Sequence, residues 1–125
     1  MITKFTNEHR FLSNFYPCKI YFEGLTYPSV EAAYQAAKTN DLKEREKFTD
    51  TTITAGKAKR MGRNLAIRQD WESVKLQIME DLVRQKFHNH NLKFLLLSTG
   101  NQRLVEGNTW NATIVTGKQI GRAHV

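Results

Sequence analysis

Glu31, Tyr34, Gln35 and Lys38 follow one another at steps of three, one and three residues. A helix through them would present all four side chains on one face. Glu31 and Lys38 would then lie roughly 10 Å apart along the axis, at a rise of ~1.5 Å per residue. A carboxylate and an amine so placed can both reach one ligand lying along the helix. The same spacing also describes a solvated Glu/Lys face, and on spacing alone that is the simpler explanation. Val30, Ala33 and Ala37 form an apolar stripe on another side. Aromatic-rich neighbouring segments favour a lined pocket, since they could cover the polar face.

A second group is cationic. Lys57, Lys59, Arg60 and Arg63 fall close together, in a chain of net charge +7 and pI near 9.7. Such a cluster can hold a phosphate or a nucleic-acid backbone, or it can be a solvated surface. Trp71 opens an amphipathic stripe, so it reads first as a core anchor. Beside a cationic cluster, its indole could instead stack on a nucleobase.

Several chemistries find no support. The chain has no GxxxxGK[ST] loop, GxGxxG fingerprint or GxSxG elbow. His9, His88, His90 and His124 lack metal-ligand spacing, and His88 and His90 would point to different sides of a helix. Cys18 is the only cysteine, which excludes an internal disulfide and reads as a small semi-buried side chain. No signal segment opens the chain, and no apolar run approaches the roughly 20 residues needed to span a bilayer. A cytoplasmic protein without a membrane partner is the default expectation.

The elements that must position these residues follow from local patterns. With 125 residues, 40% hydrophobic and 25% charged, one domain is expected. Cys18 to Phe22 and Leu25 to Tyr27 predict a hairpin turning at Glu23-Gly24. Phe11 to Pro17 reads as a structured loop. Ser29 can cap a helix to about Thr39, with Glu31 in the first turn where the helix dipole favours a carboxylate. Further helices are predicted over Leu42 to Phe48, from Ala55 to near Gly62, and over Leu92 to Leu97. The clearest runs from Asp70 to Phe87, with a stripe of Trp71, Val74, Ile78 and Leu82 flanked by Met79 and Val83. The fold class is α+β: a mainly helical single domain with a small N-terminal antiparallel hairpin.

These residues also carry a resemblance. Phe11-Leu12-Ser13-Asn14-Phe15, then Tyr27-Pro28-Ser29-Val30-Glu31-Ala32-Ala33-Tyr34-Gln35-Ala36-Ala37-Lys38, resembles the signature of the NADAR (YbiA-like) N-glycosidases. Ala58-Lys59-Arg60-Met61-Gly62-Arg63-Asn64 and Arg68-Gln69-Asp70-Trp71-Glu72 continue it, as do Lys75, Met79, Lys86-Phe87, Leu95-Leu96 and Leu104-Val105-Glu106. The likeness runs from Phe5 to Asn111 in order. It implies hydrolysis of an N-glycosidic bond between ribose and a nitrogenous base, without metal or redox cofactor. The implied partners are ribosylamino-pyrimidine phosphates of riboflavin biosynthesis, or ADP-ribose attached to guanine in nucleotides or nucleic acid.

The resemblance gives the residues roles. Glycoside cleavage passes through an oxocarbenium-like state that a carboxylate stabilises or supplies with activated water, and Glu31 takes that role. A lysine amine can attack the anomeric carbon and form a Schiff base, the role of Lys38, which otherwise binds phosphate. Ser13, Asn14, Phe15, Tyr34, Gly62 and Trp71 would bind substrate. Arg63 and Arg68 would contact phosphate, because a guanidinium suits bidentate pairing.

The C-terminal segment departs from the family pattern. After Asn111 the pattern continues with Asp, then Trp-Gly and a closing helix, whereas this chain has Ala112 and Ile114-Val115-Thr116-Gly117. The domain is expected to span 1–116 and to be incomplete at its C-terminus. Residues 117–125 are expected to be a non-native tail, since Ile120 to Val125 reads like a translated sequencing adapter. Two rivals follow: a catalytically inactive ligand-binding paralogue, favoured by Ala112, and a small basic nucleic-acid-binding module. The module would bind unmodified DNA or RNA with strong salt dependence.

Overall fold

A side chain that accepts the first free N–H groups starts most of the helices. The computed structural model describes residues 2–100, 102–104 and 115–116. Two antiparallel strands, β1 (Ile20–Phe22) and β2 (Leu25–Tyr27), are followed by α1 (Val30–Ala37) and α2 (Leu42–Glu46). Next come α3 (Ala55–Gly62), α4 (Trp71–Lys86) and α5 (His90–Ser98), then β3 (Arg103–Leu104) and β4 (Val115–Thr116). Ser29 Oγ caps α1 by accepting from Ala32, and Asp41, Thr54 and Asn89 cap α2, α3 and α5 in the same way. The expected α+β class and hairpin are present. The Phe11 to Pro17 segment is less irregular than predicted, because a 3-10 helix over Asn7–Leu12 runs into it.

The chain divides into two compact units. One comprises Met1–Ser13 with Phe87–Val125 and holds the 3-10 helix, α5, β3 and β4. Its core includes Phe11 and Phe87, whose rings meet edge to face with centroids 6.5 Å apart. In the same unit, β3 pairs with β4 antiparallel, Arg103 opposite Thr116. Ala112, Glu106 and Asn108 lie outside the described residues.

The other unit, Asn14–Lys86, holds the hairpin and α1 to α4. Its turn places Glu23 at φ 45° and Gly24 at φ 93°, the two positive values that a two-residue hairpin loop requires. In this register Tyr21 opposes Thr26, next to the turn-flanking pair Phe22 and Leu25, so Tyr21 turns its backbone groups outward. Gln85 of α4 satisfies both: its Nε2 donates to the Tyr21 carbonyl at 2.7 Å, and its Oε1 accepts from the Tyr21 N–H at 2.5 Å. One side chain thereby covers the strand edge and joins hairpin to helix.

Within this unit α1 is the centre, packed against α2, α3, α4 and both strands. Every residue from Val30 to Ala37 is buried. Ala32, Ala33, Ala36 and Ala37 keep the helix thin, which lets neighbours close on all sides. The solvated Glu/Lys face that spacing favoured is therefore not what forms. On α4 the buried line is Trp71, Met79, Leu82 and Lys86. Met79 is thus part of the core contact and Val74 and Ile78 are only half-buried, a shift of the predicted stripe around the helix.

Candidate active site

The first turn of α1 carries Glu31, whose carboxyl is taken out of water: the residue is 4% exposed. Its backbone N–H donates to the Asn14 carbonyl at 3.0 Å, which ties the segment before β1 to the helix start. One turn later, Gln35 Nε2 donates to Glu31 Oε1 at 2.9 Å. Burial pushes the Glu31 pKa up, because a charged carboxylate is costly away from water. The Gln35 hydrogen bond and the positive charges of Lys59 and Lys38 oppose that shift without overcoming it.

Lys38 stands at the C-terminal end of α1 and is half-buried. Burial holds its pKa below the ordinary lysine range; Glu31 opposes this, while Lys59 and Arg63 reinforce it by like-charge repulsion. Lys59 and Arg63 are one helical turn apart on α3 and its C-cap, so one face of α3 directs two cations at Lys38. The two reacting-type groups are therefore both pushed towards their neutral forms. Such opposed shifts within one site are typical of acid–base machinery.

Aromatic groups flank this pair. Tyr34 and Trp71 lie with ring centroids 5.1 Å apart and planes tilted by 55°, both buried. Trp71 is thus buried like the core anchor that the stripe suggested, with its ring against Tyr34 of the α1 face. The Tyr34 hydroxyl is pushed up to about 12, first by burial and then by the negative charges of Glu31 and Glu72. It stays protonated.

Gly62, the last residue of α3, explains how close α3 comes to α1. A Cβ there would stand 1.9 Å from Gln35 Oε1 and 2.7 Å from its Cδ. The glycine is a packing requirement whether or not it touches a substrate. Gln35 Oε1 is buried and has no hydrogen-bond partner among the described residues.

The remaining predicted site residues divide. Arg68 donates its backbone N–H to the Lys38 carbonyl at 2.7 Å, while its guanidinium forks onto Asp70 at 2.6 and 2.9 Å. Asn14 donates its amide to Met79 Sδ at 3.8 Å. Phe15 is 40% exposed in the segment leading to β1. Arg63 is exposed. Ser13 belongs to the other unit, where its N–H donates to the Arg10 carbonyl at the end of the 3-10 helix. Gln35, Lys59 and Glu72 complete the electrostatics. Spacing puts Gln35 on the Glu31 face and Lys59 in the cationic cluster without giving either a role of its own, and Glu72 is named only within the family resemblance.

Among the described residues, no three His, Cys, Asp or Glu side chains group so as to hold a metal ion. None of the described helices is long and apolar enough to cross a membrane.

Buried Glu31 and half-buried Lys38 on one helix, with the Gly62 contact and the Tyr34–Trp71 pair beside them, sit in an α+β domain that is similar to known proteins. The model of the NADAR domain matches residues 2–119. The chain is 42% identical over 97 residues to the N-glycosidase YbiA of Shigella sonnei, covering 75% of this chain and 60% of that protein. It is 40% identical over 101 residues to a riboflavin biosynthesis protein of Vibrio vulnificus, covering 78% of this chain and 27% of that protein. The NMR structure of YbiA from Escherichia coli superposes with a TM-score of 0.73 at 32% identity, over 97% of this chain and 77% of that one. The chain belongs to the NADAR family. It spans 60% of the length of the matched YbiA protein from Shigella sonnei.

Proposed function

We propose that this chain hydrolyses the N-glycosidic bond between a phosphorylated ribosyl or ADP-ribosyl group and a nitrogenous base, with Glu31 and Lys38 as its reacting groups. One observation carries this reading: a buried carboxyl held towards its acid form shares a helix face with an amine held towards its free base. The similarity to the N-glycosidase YbiA agrees with the reaction class.

The neutral Lys38 Nζ attacks the anomeric carbon as the bond from that carbon to the base nitrogen breaks. Glu31 delivers its proton to the departing base, which leaves neutral. The ring oxygen takes a proton from Nζ as the sugar opens, leaving a protonated imine between Nζ and the anomeric carbon. Glu31, now a carboxylate, draws a proton from water as the water adds to that carbon. Expulsion of Nζ returns the free amine and the sugar. One water is consumed, and free base and a reducing sugar are made.

Around this chemistry, Tyr34 and Trp71 supply aromatic surface for the base. Arg63 and Lys59 supply the positive field for phosphate. Arg63 is the stronger phosphate ligand of the two predicted arginines, since Arg68 already forks onto Asp70. In this proposal Asn14 and Phe15 complete the substrate pocket. Free nucleotide-like phosphates are favoured over ADP-ribosylated nucleic acid, because a relative's name places it in riboflavin biosynthesis.

Ala112, where the family pattern has Asp, favours a second reading: an inactive paralogue that binds the same ligands. Incubating the purified chain with a ribosylamino-pyrimidine phosphate and with ADP-ribosyl guanosine, and following free base by chromatography, separates the two. Base release from the first substrate is expected. Tight binding of either compound with no base released would replace the enzyme with the binding paralogue.

A further inference from the structure

Gln35 is more constrained than a bystander on a buried helix needs to be. Its Nε2 reaches Glu31 Oε1 at 2.9 Å, and both residues are 4% exposed. The other end of the same amide presses on Gly62, where an added Cβ would lie 1.9 Å from Oε1, 2.7 Å from Cδ and 3.2 Å from Cβ of Gln35. That end, Oε1, is buried and unpartnered among the described residues. An orphaned buried acceptor is destabilising, and an apolar side chain of similar length would remove the cost. The amide is nevertheless held with its donor end on the carboxyl.

We propose that Gln35 is a positioning residue for Glu31: it fixes one carboxyl oxygen by hydrogen bonding, and the Cβ-free surface of Gly62 is the seat that holds its amide. The inference rests on the proposed role of Glu31 and deepens it. With the Gln35 donor occupying Oε1, the second oxygen remains to exchange a proton with the reacting groups. The donor also stabilises the ionised carboxyl, so that Glu31 can give up its proton and recover it within one turnover. Without that donor, only the Lys59 and Lys38 charges would oppose burial, and the proton would be held more tightly.

The prediction is directional. Gln35→Met keeps the length of the side chain and removes both the donor and the orphan acceptor. Glu31 should then titrate at higher pH, followed through its carboxyl carbon by NMR in the full chain without substrate. The melting temperature should stay level or rise. With substrate, kcat should fall by about tenfold or more, as expected for losing a hydrogen bond to a charged group. The limb of the pH–rate profile on which activity falls as pH rises, where Glu31 loses the proton it must deliver, should move up in step with the titration.

Gly62→Ala provides an independent route. It should displace the Gln35 amide and move the Glu31 titration in the same direction. In a Gln35→Ala background, where the contacts with the amide are gone and only the 3.2 Å approach to the remaining Cβ is left, the same substitution should do little more. An unmoved Glu31 titration in folded Gln35→Met overturns the inference. So does a Gly62→Ala effect of equal size with and without the Gln35 side chain, and that comparison decides the matter if Gln35→Met does not fold. Because the titration is read without substrate, absence of glycosidase activity would remove the proposed function and leave this inference standing.

Discussion

Two regions of the Asn14–Lys86 unit bury charge, and they treat it differently. Around Arg45, which is 6% exposed, two nitrogens and the face of the guanidinium are used. Its Nε donates to the Thr39 carbonyl at 2.8 Å, its Nη1 meets Glu23 at 2.9 Å, and its guanidinium lies 5.2 Å from the Phe22 ring centroid. The buried Tyr27 hydroxyl nearby has no partner among the described residues, but it is neutral and its pKa is raised by burial. Around Glu31 and Lys38 the balance is reversed. One neutral amide is the hydrogen bond shown to the carboxyl, cations crowd the amine, and burial pushes both groups off their charged forms. A buried charge that is fully paired holds a fold together. A buried charge left poised is available for proton transfer.

That contrast predicts opposite mutational signatures. The largest effect is expected at Glu31→Gln, which should reduce base release by about a hundredfold to ten-thousandfold, the usual worth of a general acid–base group. Steady-state assays should place the loss in kcat rather than KM. A variant that turns over normally would move Glu31 into the structural class with Arg45.

Arg45→Met should do the reverse. Leaving the Thr39 carbonyl buried without its donor should cost about 2 kcal/mol of stability, readable by urea denaturation. Glu31 should titrate as before in the folded variant. A stable Arg45→Met protein would show that the ring contact and ion pair contribute little.

The pH dependence of stability sharpens the contrast further. Glu31 has a folded pKa above its unfolded one, so the folded state binds the proton more tightly. Its contribution is complete below the ordinary carboxylate pKa and is lost as pH rises through the raised value. Glu31→Gln should therefore melt close to the parent in acid and above it once that pKa is passed. Thermal melts across the range check this, and a constant offset would contradict it.

The smallest effect belongs to Glu23→Ala. The Glu23 side chain is 58% exposed, so its ion pair with Arg45 is screened by solvent. About 0.5 kcal/mol or less is expected, since Arg45 keeps its bond to Thr39. A loss comparable to that of Arg45→Met would make the ion pair the main support.

Features set by neighbours along the chain were legible in advance. The Glu23-Gly24 turn, the Ser29 cap and the bounds of α1 and α3 all follow from residues within a few positions of one another. Features set by contact between distant segments were not. Spacing placed Glu31 and Lys38 on one face, yet whether water or protein covers that face depends on α3 and α4. Gly62 read as a helix end, whereas its contact with Gln35 exists only once α3 packs on α1. Arg45 and Lys86 carry charges that composition would put outside, and both are buried. Arg45 meets Thr39 and Glu23 there, and Lys86 lies over the Tyr16 ring, 5.6 Å from its amine.

The most direct test of the poised pair is chemical capture at Lys38. Borohydride added during turnover of a ribosylamino-pyrimidine phosphate should reduce an imine and leave a sugar adduct that peptide mass spectrometry maps to Lys38. The adduct should vanish in Lys38→Ala. An adduct of undiminished yield in Lys38→Ala, or base release at the parent rate in that variant, would contradict a reacting role for the α1 lysine.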